Sequence, residues 1–104
     1  MYYKIIRITD KKFNEKTDEK SVNRIGRVIK FCPLELVSNA PVFLECVHPG
    51  AHKSLLLSPL VDYDLVDRKA VEWADFDLVI ETLNSFYYFD KWFEEEHEGE
   101  LNDG

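Results

Sequence analysis

Apolar and polar residues alternate with a period of two in short blocks along most of this chain, and Pro, Gly or charged clusters cut one block from the next. Side chains on a strand point to opposite faces in turn, so this pattern builds sheets with one buried face. Tyr2 to Thr9, β-branched and aromatic with interspersed charge, reads as a strand. Arg24 to Phe31 alternates cleanly, with Ile25, Arg27, Ile29 and Phe31 on one side and Gly26, Val28 and Lys30 on the other. Gly26 suits a bulge or tight bend, and Pro33 stops the strand because it has no N–H for a ladder. Val42 to Val47 is a third strand, bounded by Asn39-Ala40-Pro41 and by the turn signal His48-Pro49-Gly50. A fourth starts at Leu55; Pro59 must lie at an edge or a bulge, and Val61, Tyr63 and Leu65 resume the alternation.

Phe76 to Phe89 is the strongest periodic block. It also admits a helical stripe (Val79, Leu83, Phe86, Tyr87), but its β-branched and aromatic content favours strand, with Asn84-Ser85 as a turn or bulge. Asp10 to Asn23 has no apolar period and reads as a long exposed loop. Asp90 is placed to cap a short C-terminal helix through Trp92 and Phe93 to Glu98. The expected fold is mainly β, a small partly open barrel or a strongly bent antiparallel sheet of five or six strands with that helix. Residues 1–93 form the expected single domain, and residues 94–104 an acidic, disordered tail.

The bulk numbers bound the rest. A chain of 104 residues supports one domain with a real core. Its longest uncharged apolar run, Leu55 to Val61, is broken by Ser58 and Pro59 and is far short of the ~20 residues a spanning helix needs. Cys32 and Cys46 lie in apolar stretches with no secretory signal before them, so reduced thiols and a cytoplasmic location are expected. Charge is uneven. Residues 1–31 hold nine Lys/Arg and four Asp/Glu, net +5; residues 32–104 hold four and sixteen, net −12.

Three blocks carry a resemblance: Arg24-Ile25-Gly26-Arg27-Val28, then Leu55-Leu56-Leu57-Ser58-Pro59-Leu60-Val61, then Glu81-Thr82-Leu83-Asn84-Ser85-Phe86-Tyr87-Tyr88-Phe89. In this order they resemble uncharacterised small β-barrel proteins of Firmicutes genomes and their mobile elements. In those proteins a Ser-Pro-Val strand precedes a Thr-x-Asn-Ser-x-Tyr strand. Leu60 stands here where Val is usual, and the Trp- and Glu-rich tail departs from the pattern. The resemblance implies a barrel and a bacterial or phage setting, and no site.

Four constellations bear on chemistry. Cys32, Cys46, His48 and His52 are zinc-type ligands, but without a Cys-x₂-Cys knuckle they read as two core thiols and two turn histidines. Cys46 and His48 suggest a nucleophile and base, yet no oxyanion loop follows them. Pairs such as Asp62/Asp64 and Asp75/Asp77 could hold a cation; a solvated face is the simpler reading. The basic residues Lys4, Arg7, Lys11, Lys12, Arg24, Arg27 and Lys30, with Tyr2, Tyr3 and Phe31 as stacking platforms, outline the alternative, a single-strand nucleic-acid binder whose acidic tail competes internally for the basic face, against which the net charge of −7 argues.

The expectation favoured is a non-catalytic protein-interaction module without metal or cofactor, monomeric or homodimeric and not membrane-bound. In its sharpest form it is a phage or mobile-element inhibitor that mimics nucleic acid toward a basic host nucleic-acid enzyme. The contact residues are then Asp62, Asp64, Glu72, Asp75, Asp77, Asp90, Glu94 and Glu95, with Trp73, Trp92 and Phe93 as aromatic anchors.

Overall fold

The computed structural model describes residues 1–48 and 54–93. Its strands are β1 (Tyr2–Thr9), β2 (Val28–Lys30), β3 (Pro41–His48), β4 (Ser54–Leu65), β5 (Leu78–Thr82) and β6 (Phe86–Trp92), and a helix α1 (Glu19–Arg24) separates β1 from β2. All pairings between these strands are antiparallel and follow chain order, and β6 pairs back onto β1. The mainly β barrel expected from the alternation is thus present, and it is closed rather than partly open. Closure abolishes the free edges an open sheet would leave.

Apolar residues on the inner face of every strand fill the barrel, from Tyr3, Ile5 and Ile8 on β1 to Tyr87 and Phe89 on β6. Bulges keep them inward. A register shift between Ile5 and Arg7 moves the buried position from odd to even, so Ile8 follows Ile5 into the core. On β4 the register shifts beside Pro59 and again between Leu60 and Asp62, which brings Leu57, Leu60 and Tyr63 to the same side. Pro59 therefore sits at a bulge, as its missing N–H requires.

Three expectations need correction. Residues 10–23 are not all loop: Asp18 caps α1, its carboxylate accepting the Ser21 N–H at 3.1 Å and the Ser21 hydroxyl at 2.8 Å. Six residues are too few to show an apolar stripe. The strand expected from Arg24 begins only at Val28, because Arg24 ends α1 and Gly26, at φ +90°, turns the chain. The helix expected from Asp90 does not start there. Asp90, Lys91 and Trp92 extend β6 opposite Lys4, Tyr3 and Tyr2, whose ladder needs partners. The rest of that helix, the tail 94–104 and the Pro49-Gly50 turn lie outside the described residues.

The strand ends define two rims. Tyr2, Leu65, Leu78 and Trp92 mark one, Thr9, Thr82 and Phe86 the other. At the second rim the last residue of α1 reaches the barrel. Arg24 Nη1 donates to the Tyr87 hydroxyl at 2.6 Å, and Nη2 to the Leu56 carbonyl at 3.4 Å.

Candidate functional site

Directly opposed residues in an antiparallel pair share a face. On the outside of the barrel, Asp62 therefore lines up with Glu81 and Phe86, and Asp64 with Val79, Tyr88 and Arg7. Two Asp at i and i+2 on a strand share a face for the same reason.

Most charge on this outer face is internally matched. Arg7 donates from both Nη atoms to Asp75, at 3.0 and 3.1 Å, and its guanidinium lies 4.4 Å above the Tyr88 ring. That hydrogen bond holds the Asp75 carboxyl below its ordinary range and raises Arg7. Arg68 spans two acids, Asp77 from Nε at 3.2 Å and Asp90 from Nη2. Lys11 pairs with Glu81, donates to the Thr82 carbonyl at 2.8 Å, and sits 4.6 Å from the Phe86 ring centroid. Phe13 stacks on Phe86 at 5.0 Å although its own backbone is in the left-handed region, at φ +67°. Asp10 holds that turn by accepting the Lys12 and Asn14 N–H groups, which also keeps its carboxyl below the usual range.

Asp62 and Asp64 differ. Both are exposed, and neither has an ion pair among the described residues; Asp62 only accepts the Tyr63 N–H at 2.8 Å. They border a cleft of about 80 Å³ with Tyr63, Val79, Glu81 and Phe86. The structure thus gathers Asp62 and Asp64, sets Asp75, Asp77 and Asp90 against arginines, and leaves Glu72 and Trp73 exposed on the β4–β5 connection. Phe93 is exposed just after β6. Trp92 is only 7 % exposed, with the Tyr2 ring edge-on at 6.2 Å and the His48 ring stacked at 5.7 Å. Glu94 and Glu95 lie outside the described residues. Val79 and Phe86 were missed, because only the strand register brings them beside the Asp pair.

The other constellations are dispersed. Tyr3 and Phe31 line the barrel interior and cannot serve as exposed stacking platforms, while Arg7 and Lys11 are spent on Asp75 and Glu81. Cys46 points inward with Sγ against the His48 carbonyl at 3.4 Å, and the His48 ring turns out onto Trp92. A register shift between Val28 and Ile29 in the β2–β3 pairing separates the two faces. Cys32 is half-buried, and His52 lies outside the described residues. Among the described residues no three His, Cys, Asp or Glu side chains gather as a metal site, and no helix is long and apolar enough to cross a membrane. Compared with family models, curated proteins and solved structures, the chain matches none of them.

Proposed function

We propose that this chain is a non-catalytic protein-interaction module for a basic partner. The observation that carries the reading is the Asp62–Asp64 pair: two exposed carboxylates without cations beside a partly apolar cleft, on a face where Asp75, Asp77, Glu81 and Asp90 are matched. A partner's Lys or Arg gains at an unmatched carboxylate, whereas at Asp75 or Asp77 it must displace an arginine already bound. Glu72 and Trp73, the latter 80 % exposed, extend this surface. In the finer form of the proposal the partner is a nucleic-acid enzyme, and the carboxylates stand in for backbone phosphates in its basic channel. The three-block resemblance to barrels of Firmicutes and their mobile elements supplies only the bacterial or phage setting of this proposal, in which such a mimic acts as an inhibitor in the cytoplasm.

The test is a pull-down from bacterial lysate at low and high salt, with the native chain and an Asp62→Asn/Asp64→Asn variant. A basic nucleic-acid enzyme is expected at low salt, released at high salt, and lost with the variant. Recovery of nothing, or of an apolar partner indifferent to salt, overturns the reading.

A further inference from the structure

Among the described residues, nothing fills the rim away from α1. Lys91 stands opposite Tyr3 and so shares its inner face, at the position where the run Tyr87, Phe89 calls for another apolar residue. Leu65, opposite inward-facing Leu78, is half exposed at the same rim. Above Tyr3 this leaves a cup of about 360 Å³, whose wall includes Met1, Leu65, Asp67, Asp77 and Lys91. That volume falls within the ~300–1,000 Å³ of small-molecule sites, for which barrel mouths are a recurrent place.

Two donors in the cup lack acceptors. Tyr3 is 2 % exposed, packed edge-on against Phe31 at 5.6 Å and Phe89 at 6.5 Å, and its hydroxyl bonds to no described residue. Among the described residues Thr9 Oγ1 is the fully buried side-chain polar atom without a partner, so the Tyr3 oxygen is not sealed in the core but opens into the cup. The Lys91 ammonium has no ion pair among the described residues. Of the two acids beside them, Asp77 binds Arg68 Nε at 3.2 Å and accepts the Lys91 backbone N–H at 2.7 Å, while Asp67 accepts only the Lys69 backbone N–H at 3.0 Å and keeps its charge.

We propose that this cup binds a small, largely apolar carboxylic acid, its carboxylate on Lys91 and the Tyr3 hydroxyl and its hydrocarbon on Met1, Leu65 and the Tyr3 ring. Cross-strand neighbours on one face are close enough to share one carboxylate. A charge-assisted bond to the ammonium supplies orientation, and the apolar wall supplies burial. The site is separate from the Asp62–Asp64 face and does not depend on the proposed protein contact.

Phenylacetate and its neutral isostere phenylacetamide are the probes, each titrated into the isotope-labelled full chain and followed by amide NMR shifts. Phenylacetate is expected to move Tyr3, Leu65, Asp77 and Lys91 and to bind more tightly than the amide. Lys91→Gln should weaken phenylacetate about tenfold and leave the amide unchanged. Tyr3→Phe should weaken phenylacetate several-fold while thermal stability holds, since no described group loses a partner. Equal binding of acid and amide, shifts located elsewhere, or indifference to both substitutions overturns the proposal.

Discussion

The two rims of the barrel each hold a buried tyrosine, and the two are treated differently. At the α1 rim Tyr87 meets Arg24, and the fold has supplied its own polar partner. At the other rim Tyr3 is also buried, and its hydroxyl bonds to no described residue. Burial pushes both phenols up. Beside Tyr87 the Arg24 charge and hydrogen bond oppose the rise, whereas beside Tyr3 the Asp77 carboxylate adds to it. A polar group answered from within its own chain serves stability; one left facing an open cup is available to something else. The outer face repeats the lesson, with Asp75 answered by Arg7 and Asp62 and Asp64 unanswered.

Three experiments would break or sharpen this contrast. The largest effect is expected from Phe89→Ala, because Phe89 is fully buried and supports Tyr3 edge-on. A loss of about 3–5 kcal/mol in denaturant unfolding is expected; a loss below about 1 kcal/mol would mean that the floor beneath the cup is not packed as described. Next come the tyrosines themselves. Tyr87→Phe strands a half-buried guanidinium and should cost about 1–2 kcal/mol, while Tyr3→Phe should stay within about 0.5 kcal/mol of the native chain. Equal costs at the two rims would erase the contrast.

The smallest effect concerns acid. Bonds from the Ser21 hydroxyl and N–H hold the Asp18 carboxyl below its ordinary value. A carboxyl depressed in the folded state stabilises fully above the unfolded value of about 3.9, and that contribution disappears as pH falls through the lower folded value. Below about pH 4, α1 should therefore fray first, seen as faster amide exchange at Ser21. Asp18→Asn keeps a good cap and should remove most of this pH dependence. An unchanged acid response in that variant would place the sensitivity elsewhere, for instance at Asp75, which Arg7 depresses in the same direction.

How much was legible in the residues follows from which signals are local. Side-chain alternation is local, so β1, β3, β4 and the β5–β6 hairpin with its Asn84-Ser85 turn could be read directly, and Pro59 announced its bulge. Register is not local. Nothing near Asp75 says that it will meet Arg7, 68 positions away, or that Glu81 will stand beside Asp62. The Asp90 misreading shows a local signal losing to a distant one. Asp followed by Glu-rich sequence is sound helix-capping chemistry, yet the β1 ladder, more than eighty residues earlier, takes those backbone groups into a sheet. Of the contact face, the Asp62–Asp64 pair was visible as an i, i+2 spacing. The cup was not, because a lysine on the inner face becomes conspicuous only once Tyr3 is known to stand opposite it.

Seaming the first strand to the last also bears on how this chain leaves the ribosome. Every pairing from β1–β2 to β5–β6 joins sequence neighbours and can form during synthesis, but the other edge of β1 must wait for residues 86–92. Until they emerge, the nascent chain carries unsatisfied strand edges that can capture one another. A ribosome stalled just short of Phe86 would therefore hold this protein in its most aggregation-prone form.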